Sequence, residues 1–597
     1  MFQFLSLGMK GFDFENSGLE EKLQTVKNKV VKLSLLRLVV FVAMGGLFVL
    51  SVSESPVWFL FFGVSVYVFI LLIGKYNDHK DQEAIYLALG KMNLRREMRV
   101  GRKLKDLDSG IEFQEKTHPF SNDLDLFGEH SLFQLLNHTV SKRGKEALAT
   151  KMKAAFNLGK AETFRLATGE LSTKADFLFA MESIGIAFHN EEKSNAGWVH
   201  WLHEEDPGNR LIYVAAALGP VGGLILSVLT YIGIVPGAFF GVWILIGMVF
   251  LGMVFSQLKK AAESIPSRDQ LKTYRYWLAV LEDQQFNSPL LTAMQSPFLT
   301  KGTKASRLFD QLDSLGLWIQ NRVNLLYIPL NLLFWTDLFL YLRLGSWKRK
   351  YGKLVADFPD QLVQWEVLVS LGAFENEVGG KGKVISVAHG VEGKMVSHPL
   401  LMPGLAVPND FSIDNNQRII LLTGANMSGK TTFMRTLGIN CVLVNLGLSP
   451  FAEEFGLSGF QLYTSMRNTD NLGESVSSFY AELSRIKLLI DRIEKGEQVF
   501  FLLDEILKGT NTEDRIAGSE ALIRQVDNTM AFGIISTHDI ELADLETRME
   551  SVKNFSFHSE IHDQNIDFDY KIKRGACPSF NAHKLMELMG IRFQQEK

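Results

Sequence analysis

The sequence predicts a multidomain fold: a C-terminal α/β P-loop domain, a central all-α region and two transmembrane helical hairpins. Three observations carry this prediction. A glycine-rich loop, Gly424-Ala-Asn-Met-Ser-Gly-Lys-Thr431, lies between an apolar strand pattern and a helical stretch. Four apolar segments of about 18 residues or more are nearly free of charge, long enough to cross a hydrocarbon core. The 597 residues also exceed what one core organises, since domains usually run to about 100 to 200 residues.

The first hairpin pairs residues 35–52, whose one charge is Arg37 at the entrance, with residues 57–74. The second pairs 211–231 with 235–255, neither containing a charged residue. Soluble core helices rarely stay uncharged over such lengths. A cleaved signal peptide is disfavoured for the first segment, because a long polar stretch precedes it and a second span follows at once. Lys22, Lys27, Lys29, Lys32 and Arg37 precede the first hairpin and Lys75 and Lys80 follow it, whereas its tip, Ser53-Glu54-Ser55, has no base. Arg210, Lys259 and Lys260 flank the second in the same way, around an uncharged tip near Gly233 and Pro236. The positive-inside bias then leaves everything but the spans on the cytoplasmic side of an inner or plasma membrane. A fifth apolar run, 325–342, contains Pro329, Asn331 and Asp337, and is expected to be a buried soluble helix. Basic stretches at Lys91–Lys105 and Arg343–Lys353 are candidate contacts for anionic lipid or nucleic acid, with a solvated helix face as the plainer expectation.

Composition narrows the function classes. A net charge of -4 supplies no global field for nucleic acid, so any such contact must be local. Two cysteines, Cys441 and Cys577, exclude a disulfide framework and a Cys-rich zinc site, and suit a reducing cytosol. Uncharged spans offer no substrate path for a transporter.

The apolar strand Arg418–Gly424 runs into the P-loop, and a helix is expected from Thr432 to Leu446. Backbone N–H groups from Gly424, Ala425, Asn426, Met427, Ser428 and Gly429, with Thr432 beyond, would curl round the phosphates of ATP. Lys430 would reach the terminal phosphates, and the Thr431 hydroxyl would sit on Mg2+. A second apolar strand, Val499–Leu503, delivers Asp504 and Glu505. Asp504 is the candidate partner of the magnesium shell and Glu505 the candidate general base. A third strand, Ala531–Ser536, ends at Thr537-His538-Asp539, which makes His538 a candidate sensor of the γ-phosphate.

These motifs resemble the MutS mismatch-repair ATPases, members of the wider ABC class. Residues 424–435 resemble the family's Walker A loop and trailing helix, 502–512 its Walker B segment, and Ser536-Thr-His-Asp539 its switch. Ser477-Ser-Phe-Tyr-Ala-Glu482 is similar to the signature segment, in which Ser477 and Ser478 reach the partner subunit's ATP. Ser397-His-Pro399 and Val407-Pro-Asn-Asp410 look like the lead-in to the P-loop, and Ser579–Gly590 like the helical dimerisation end. Asp123-Leu-Asp-Leu-Phe127 and Ser131–Thr139, with Gly144, resemble the opening of the helical core, and Trp365–Phe374 part of its lever.

The resemblance implies an ABC-type, Mg-dependent ATPase with a composite site in a homodimer. The implied layout is an N-terminal cytoplasmic segment (1–33), first hairpin (34–75), basic juxtamembrane helix (76–118), helical core (119–210), second hairpin (211–257), core and lever (258–378), and ATPase with dimerisation end (379–597). No segment resembles the family's mismatch-reading domain, and Phe113-Gln-Glu115 imitates the mismatch wedge outside such a domain. The arginine loop before the signature reads Thr464-Ser-Met-Arg-Asn-Thr-Asp470, and Leu507-Lys508 replaces the usual Gly-Arg. The implied activity is ATP turnover coupled to mismatched, damaged or branched DNA; the alternative is an ATP-driven membrane switch or scaffold with no DNA ligand.

Overall fold

The computed structural model describes residues 12–189, 195–204, 210–299, 302–325, 327–425, 427–467, 478–562 and 565–578. The chain divides into two compact units, one of residues 1–93, 139–144 and 176–367, the other of 94–138, 145–175 and 368–597.

Helices build the first unit. Leu19–Ser53, Trp58–Val100, Arg210–Tyr231 and Ala238–Ser264 are each long and apolar enough to cross a membrane. Of the most apolar window, 6% is buried in each of the first two, against 28% and 11% in the others, so most of this apolar surface has no protein cover. The remaining helices pack conventionally. Arg268–Glu282 opens with a capping box, Ser267 accepting from Gln270 N and Gln270 reaching back to Ser267 N. Its Trp277 donates its indole N–H to Met181 O at 2.7 Å. Where Gly185 passes this contact a Cβ would lie 2.9 Å from Val140 and 3.0 Å from Trp277, which explains the glycine. Glu366, fully enclosed, accepts Val140 N at 2.6 Å and Ser141 N at 2.8 Å, with the Ser141 hydroxyl donating as well.

The run at 325–342 differs from the single buried helix expected of it. It forms two helices, Tyr327–Phe334 and Thr336–Val355, broken at Trp335, whose φ is +54°. The first has no buried residue, whereas Trp335, Leu338, Leu340 and Tyr341 are buried. Pro329 lies in the first turn of the shorter helix, where its missing N–H breaks no intrahelical bond. Lys348, from the second basic stretch, is also buried, with its ammonium 5.3 Å from the Trp201 ring, so it does not belong to a solvated face.

Among the described residues the second unit contains ten strands: β1 (Lys383–Ser386), β2 (Val391–Val396), β3 (Asn409–Ile413), β4 (Ile419–Gly424), β5 (Glu454–Leu457), β6 (Gln461–Ser465), β7 (Val499–Asp504), β8 (Phe532–Thr537), β9 (Val552–His562) and β10 (Asn565–Arg574). One sheet has the order β1-β5-β2-β3, and a larger one the order β10-β9-β4-β8-β7-β6. In the larger sheet β9, β4, β8, β7 and β6 run parallel, with β10 antiparallel at the edge. Every residue of β4 and β8 is buried, as expected of strands covered on both faces, and this is why they read as unbroken apolar runs. The helix Lys430–Asn445 begins two residues before the expected Thr432.

In the same unit, part of the first basic run is structural. Arg99 is buried, 2.9 Å from Glu377 Oε2, and Arg102 donates to Pro399 O at 2.8 Å. The helix that carries Arg99 ends at Val100 and short 3-10 turns follow, so no helix extends to residue 118. Phe113 packs against Phe127 and Phe133, at ring-centroid distances of 6.1 and 5.7 Å.

Candidate functional site

Parallel register brings three strand ends to one edge of the large sheet. Thr423 lies opposite Thr537, and Asp504 opposite Ser536. Ligands of open α/β sheets gather at this carboxyl edge. β4 ends at Gly424, where φ is +150°, and the loop reaches the helix through Gly429 at φ +106°. A Cβ on Gly424 would lie 2.8 Å from Phe557 O and 2.9 Å from Ser428 Oγ, so this turn has room only for glycine. Met427, also at positive φ, projects outward and is 85% exposed. Asn426 lies outside the described residues.

Lys430 is buried and folds back over the loop, donating to Gly424 O at 2.7 Å and Ala425 O at 3.0 Å. Burial lowers its pKa, with the charges of Glu505 and Asp504 opposing. The Thr431 hydroxyl donates to Asp504 Oδ2 at 2.6 Å, and the Ser536 hydroxyl to Oδ1. Glu505 follows in the left-handed region, φ +48°, with its N–H on Ser536 O at 3.1 Å. Its Oε1 is 2.6 Å from His538 Nε2 and its Oε2 2.6 Å from Lys508 Nζ. Burial would raise the Glu505 pKa, but the hydrogen bonds and charges of His538 and Lys508 outweigh it and hold the carboxyl down at about 2. His538 thus meets Glu505 directly. Asp539, beside it, takes a two-pronged contact from Arg515 at 2.8 and 2.5 Å.

A cavity of about 460 Å³ opens over the P-loop, with a wall formed by His398, Val407, Phe433, Phe557 and Tyr570. Gly429 faces Tyr570, which a Cβ there would approach to 3.1 Å. Burial, with the charges of Arg435 and His130 adding, pushes the His398 imidazole down to about 4. Its Nδ1 accepts Leu400 N at 3.2 Å. Sequence reading placed His398 and Val407 in a lead-in without assigning them this wall, and nothing in the sequence pointed to Phe557 or Tyr570.

Ser477 lies outside the described residues, and Ser478 opens the helix Ser478–Glu494. Farther along, Glu482 accepts the Leu507 N–H, tying the segment to the backbone just after Asp504 and Glu505. Burial raises the Glu482 pKa. The acids of the Asp123–Phe127 motif hold the neighbouring loops. Asp123 accepts Thr464 Oγ1 at 2.8 Å and Arg485 at 3.0 Å, while Asp125 joins Arg467 and, at 3.2 Å, Arg435.

The residues fit a phosphate ligand and a hard divalent cation. Two left-handed glycines leave space beside the loop, the buried Ser428 hydroxyl lacks a partner among the described residues, and Thr431 and Asp504 present oxygen donors side by side. A parallel sheet with this loop at its carboxyl edge and paired acids on a nearby strand defines a P-loop domain of the α/β class. Residues 420–591 match the family model for MutS domain V, which places this domain in the MutS family.

Curated relatives match part of the chain. The chain is 34% identical over 198 residues to the DNA mismatch repair protein MutS of Oceanobacillus iheyensis, a match covering 32% of this chain and 23% of that protein. It is 34% identical over 203 residues to the protein of the same name from Bacillus pumilus, covering 34% and 23%. A third MutS, from Thermotoga petrophila, is 26% identical over 246 residues, covering 41% and 31%. The chain therefore spans less than a third of the length of these relatives.

Proposed function

We propose that the protein is a membrane-anchored MutS-like ATPase that binds and hydrolyses ATP as a homodimer. The observation that carries this reading is the 2.6 Å contact between Thr431 Oγ1 and Asp504 Oδ2 beneath the glycine loop, with Glu505 next in sequence. Loop amides and Lys430 would receive the phosphates, Lys430 exchanging its bonds to Gly424 O and Ala425 O for phosphate oxygens. Thr431 and Asp504 would hold Mg2+, which when bound neutralises charge on the β- and γ-phosphates. Glu505 would orient and deprotonate the attacking water, with His538 reporting the γ-phosphate to it. Adenine would lie in the cavity against Tyr570 and Phe433. Ser477 and Ser478 of a second copy would complete the pocket, so that ATP binding draws two domains together and hydrolysis releases them. The four apolar helices would insert as two hairpins, leaving the rest of the chain cytoplasmic.

The relatives are named DNA mismatch repair proteins, which favours coupling to DNA, with mismatched, damaged or branched duplexes as the ligands to test. The second reading, an ATP-driven membrane switch or scaffold without DNA, draws on the burial of Arg99, Arg102 and Lys348, which removes cations from both basic stretches. Purified protein should hydrolyse ATP, and Glu505→Gln should lower turnover by about 100- to 10,000-fold while ATP still binds. Retention of full turnover in this variant would refute the site. Salt-dependent binding to linear, mismatched and four-way-junction DNA separates the two readings, and no binding at low salt would eliminate the DNA reading.

A further inference from the structure

Residues 323–336 form an uncharged excursion bracketed by an ion pair. Arg322 Nε donates to both oxygens of Asp337, at 3.0 and 2.9 Å, and Tyr327 OH adds a bond to Oδ1 at 2.8 Å. Several polar atoms inside the excursion are satisfied locally, whereas the buried Trp335 Nε1 has no hydrogen-bond partner among the described residues. Asn331 Oδ1 accepts the Thr336 hydroxyl and the Asp337 N–H, each at 2.9 Å, and Trp318 donates to Tyr327 OH at 3.0 Å. Leu333 O, which the helix break would leave bare, accepts the Trp243 indole N–H at 2.7 Å.

The excursion packs along the second pair of apolar helices. Trp335 stacks on Trp243 with ring centroids 4.4 Å apart, and lies 5.6 Å from Phe250. A Cβ on Gly219 would come 2.9 Å from Phe334 O, and one on Gly223 or Gly247 would overlap Leu333 O or the Trp335 ring, so glycines make the approach possible. At about 1.5 Å per residue, Gly219 and Gly223 lie about 13 and 20 Å along the helix from Arg210, near the middle of a hydrocarbon core of about 30 Å. Arg322 sits lower, 5.7 Å from the ring of Phe255, close to Lys259 in sequence. The face turned away from the helices is apolar and exposed: Val323 88%, Leu325 81%, Ile328 47% and Leu330 51%.

We infer that residues 323–336 are a re-entrant membrane element, entering the bilayer beside the second hairpin and returning on the same side; this rests on the reading of that hairpin as membrane-spanning. Broken backbone tolerates bilayer depth only where its polar groups are met by protein, and at this break Trp243 meets Leu333 O and Asn331 Oδ1 meets the Asp337 N–H. The exposed apolar face continues the uncovered surface of the hairpin, and the Arg322–Asp337 pair fixes the level at which the chain enters and leaves. The ligand of this face is the acyl-chain region of the lipid.

The test is spin-label accessibility of the full chain in phosphatidylcholine–phosphatidylglycerol vesicles. Leu330→Cys probes the excursion, Leu245→Cys the hairpin and Met530→Cys an aqueous reference; these side chains are exposed, whereas Cys441 and Cys577 are buried. Oxygen should relax labels at 330 and 245 more strongly than a water-soluble nickel complex, with the order reversed at 530. Nickel access at 330 with a shielded 245 overturns the inference but leaves the hairpin standing. Nickel access at both overturns the inference together with the hairpin. Shielding of 330 from both reagents also overturns it, showing a protein occupant in place of lipid.

Discussion

His538 Nε2 lies 2.6 Å from Glu505 Oε1, and because Lys508 Nζ is as close to Oε2, both oxygens of the carboxylate after β7 are engaged. A carboxylate restrained on both sides is well positioned but weakly basic, and its pKa of about 2 expresses that compromise for the role of general base proposed above.

A pH-dependent stability difference follows. With the folded pKa below the usual carboxylate value of 4.5, the Glu505 interactions stabilise the protein fully above about pH 4.5 and are lost as pH falls toward 2. Lys508→Ala should therefore lower the denaturation midpoint most at neutral pH, the gap to wild type closing between pH 4.5 and 2. Urea melts across this range provide the measurement, and a gap independent of pH would contradict the assignment.

His398 produces a second pH effect. Its folded pKa of about 4 lies below the ordinary 6.5, so the unfolded chain binds more protons between these values and stability falls as pH drops from 6.5 to 4. His398→Phe should flatten this part of the profile.

Composite sites predict complementation. Lys430→Ala and Ser477→Ala homodimers should each lose most of their turnover. Mixing them forms heterodimers in which one pocket has both an intact Lys430 and an intact Ser477, so activity should recover to a minority of the wild-type rate. Absence of recovery, with sedimentation showing a monomer in ATP, would sink the dimer reading.

Glu366 yields a stability prediction away from the site. Glu366→Ala strands the N–H groups of Val140 and Ser141, and each buried donor left unmet costs about 1–3 kcal/mol. Glu366→Gln keeps an acceptor oxygen and should lose less, as read from chemical denaturation.

Part of this arrangement was legible before any coordinates. Strand β4, the Gly424–Thr431 loop, and Asp504 with Glu505 at the end of β7 depend on local patterns: unbroken apolar runs, glycines where φ turns positive, acids at a strand end. The helix start was misplaced by two residues, since Lys430 and Thr431 were assigned to the loop by their chemistry although their backbone is already helical. The apolar length of the four candidate spans was equally local.

Local chain chemistry is thus enough for the class of the domain and the identity of its chemical groups, because backbone propensity, apolar periodicity and loop geometry act over a few neighbouring residues. Tertiary structure alone decided which charges are spent internally and how each group is tuned. Arg99 reads as a surface cation until Glu377 is placed beside it, Glu505 as an ordinary acid until His538 and Lys508 close on it, and 325–342 as one helix until Trp243 offers its indole to Leu333. Electrostatic and hydrogen-bond energies depend on distance through space and on burial, and neither is encoded in separation along the chain.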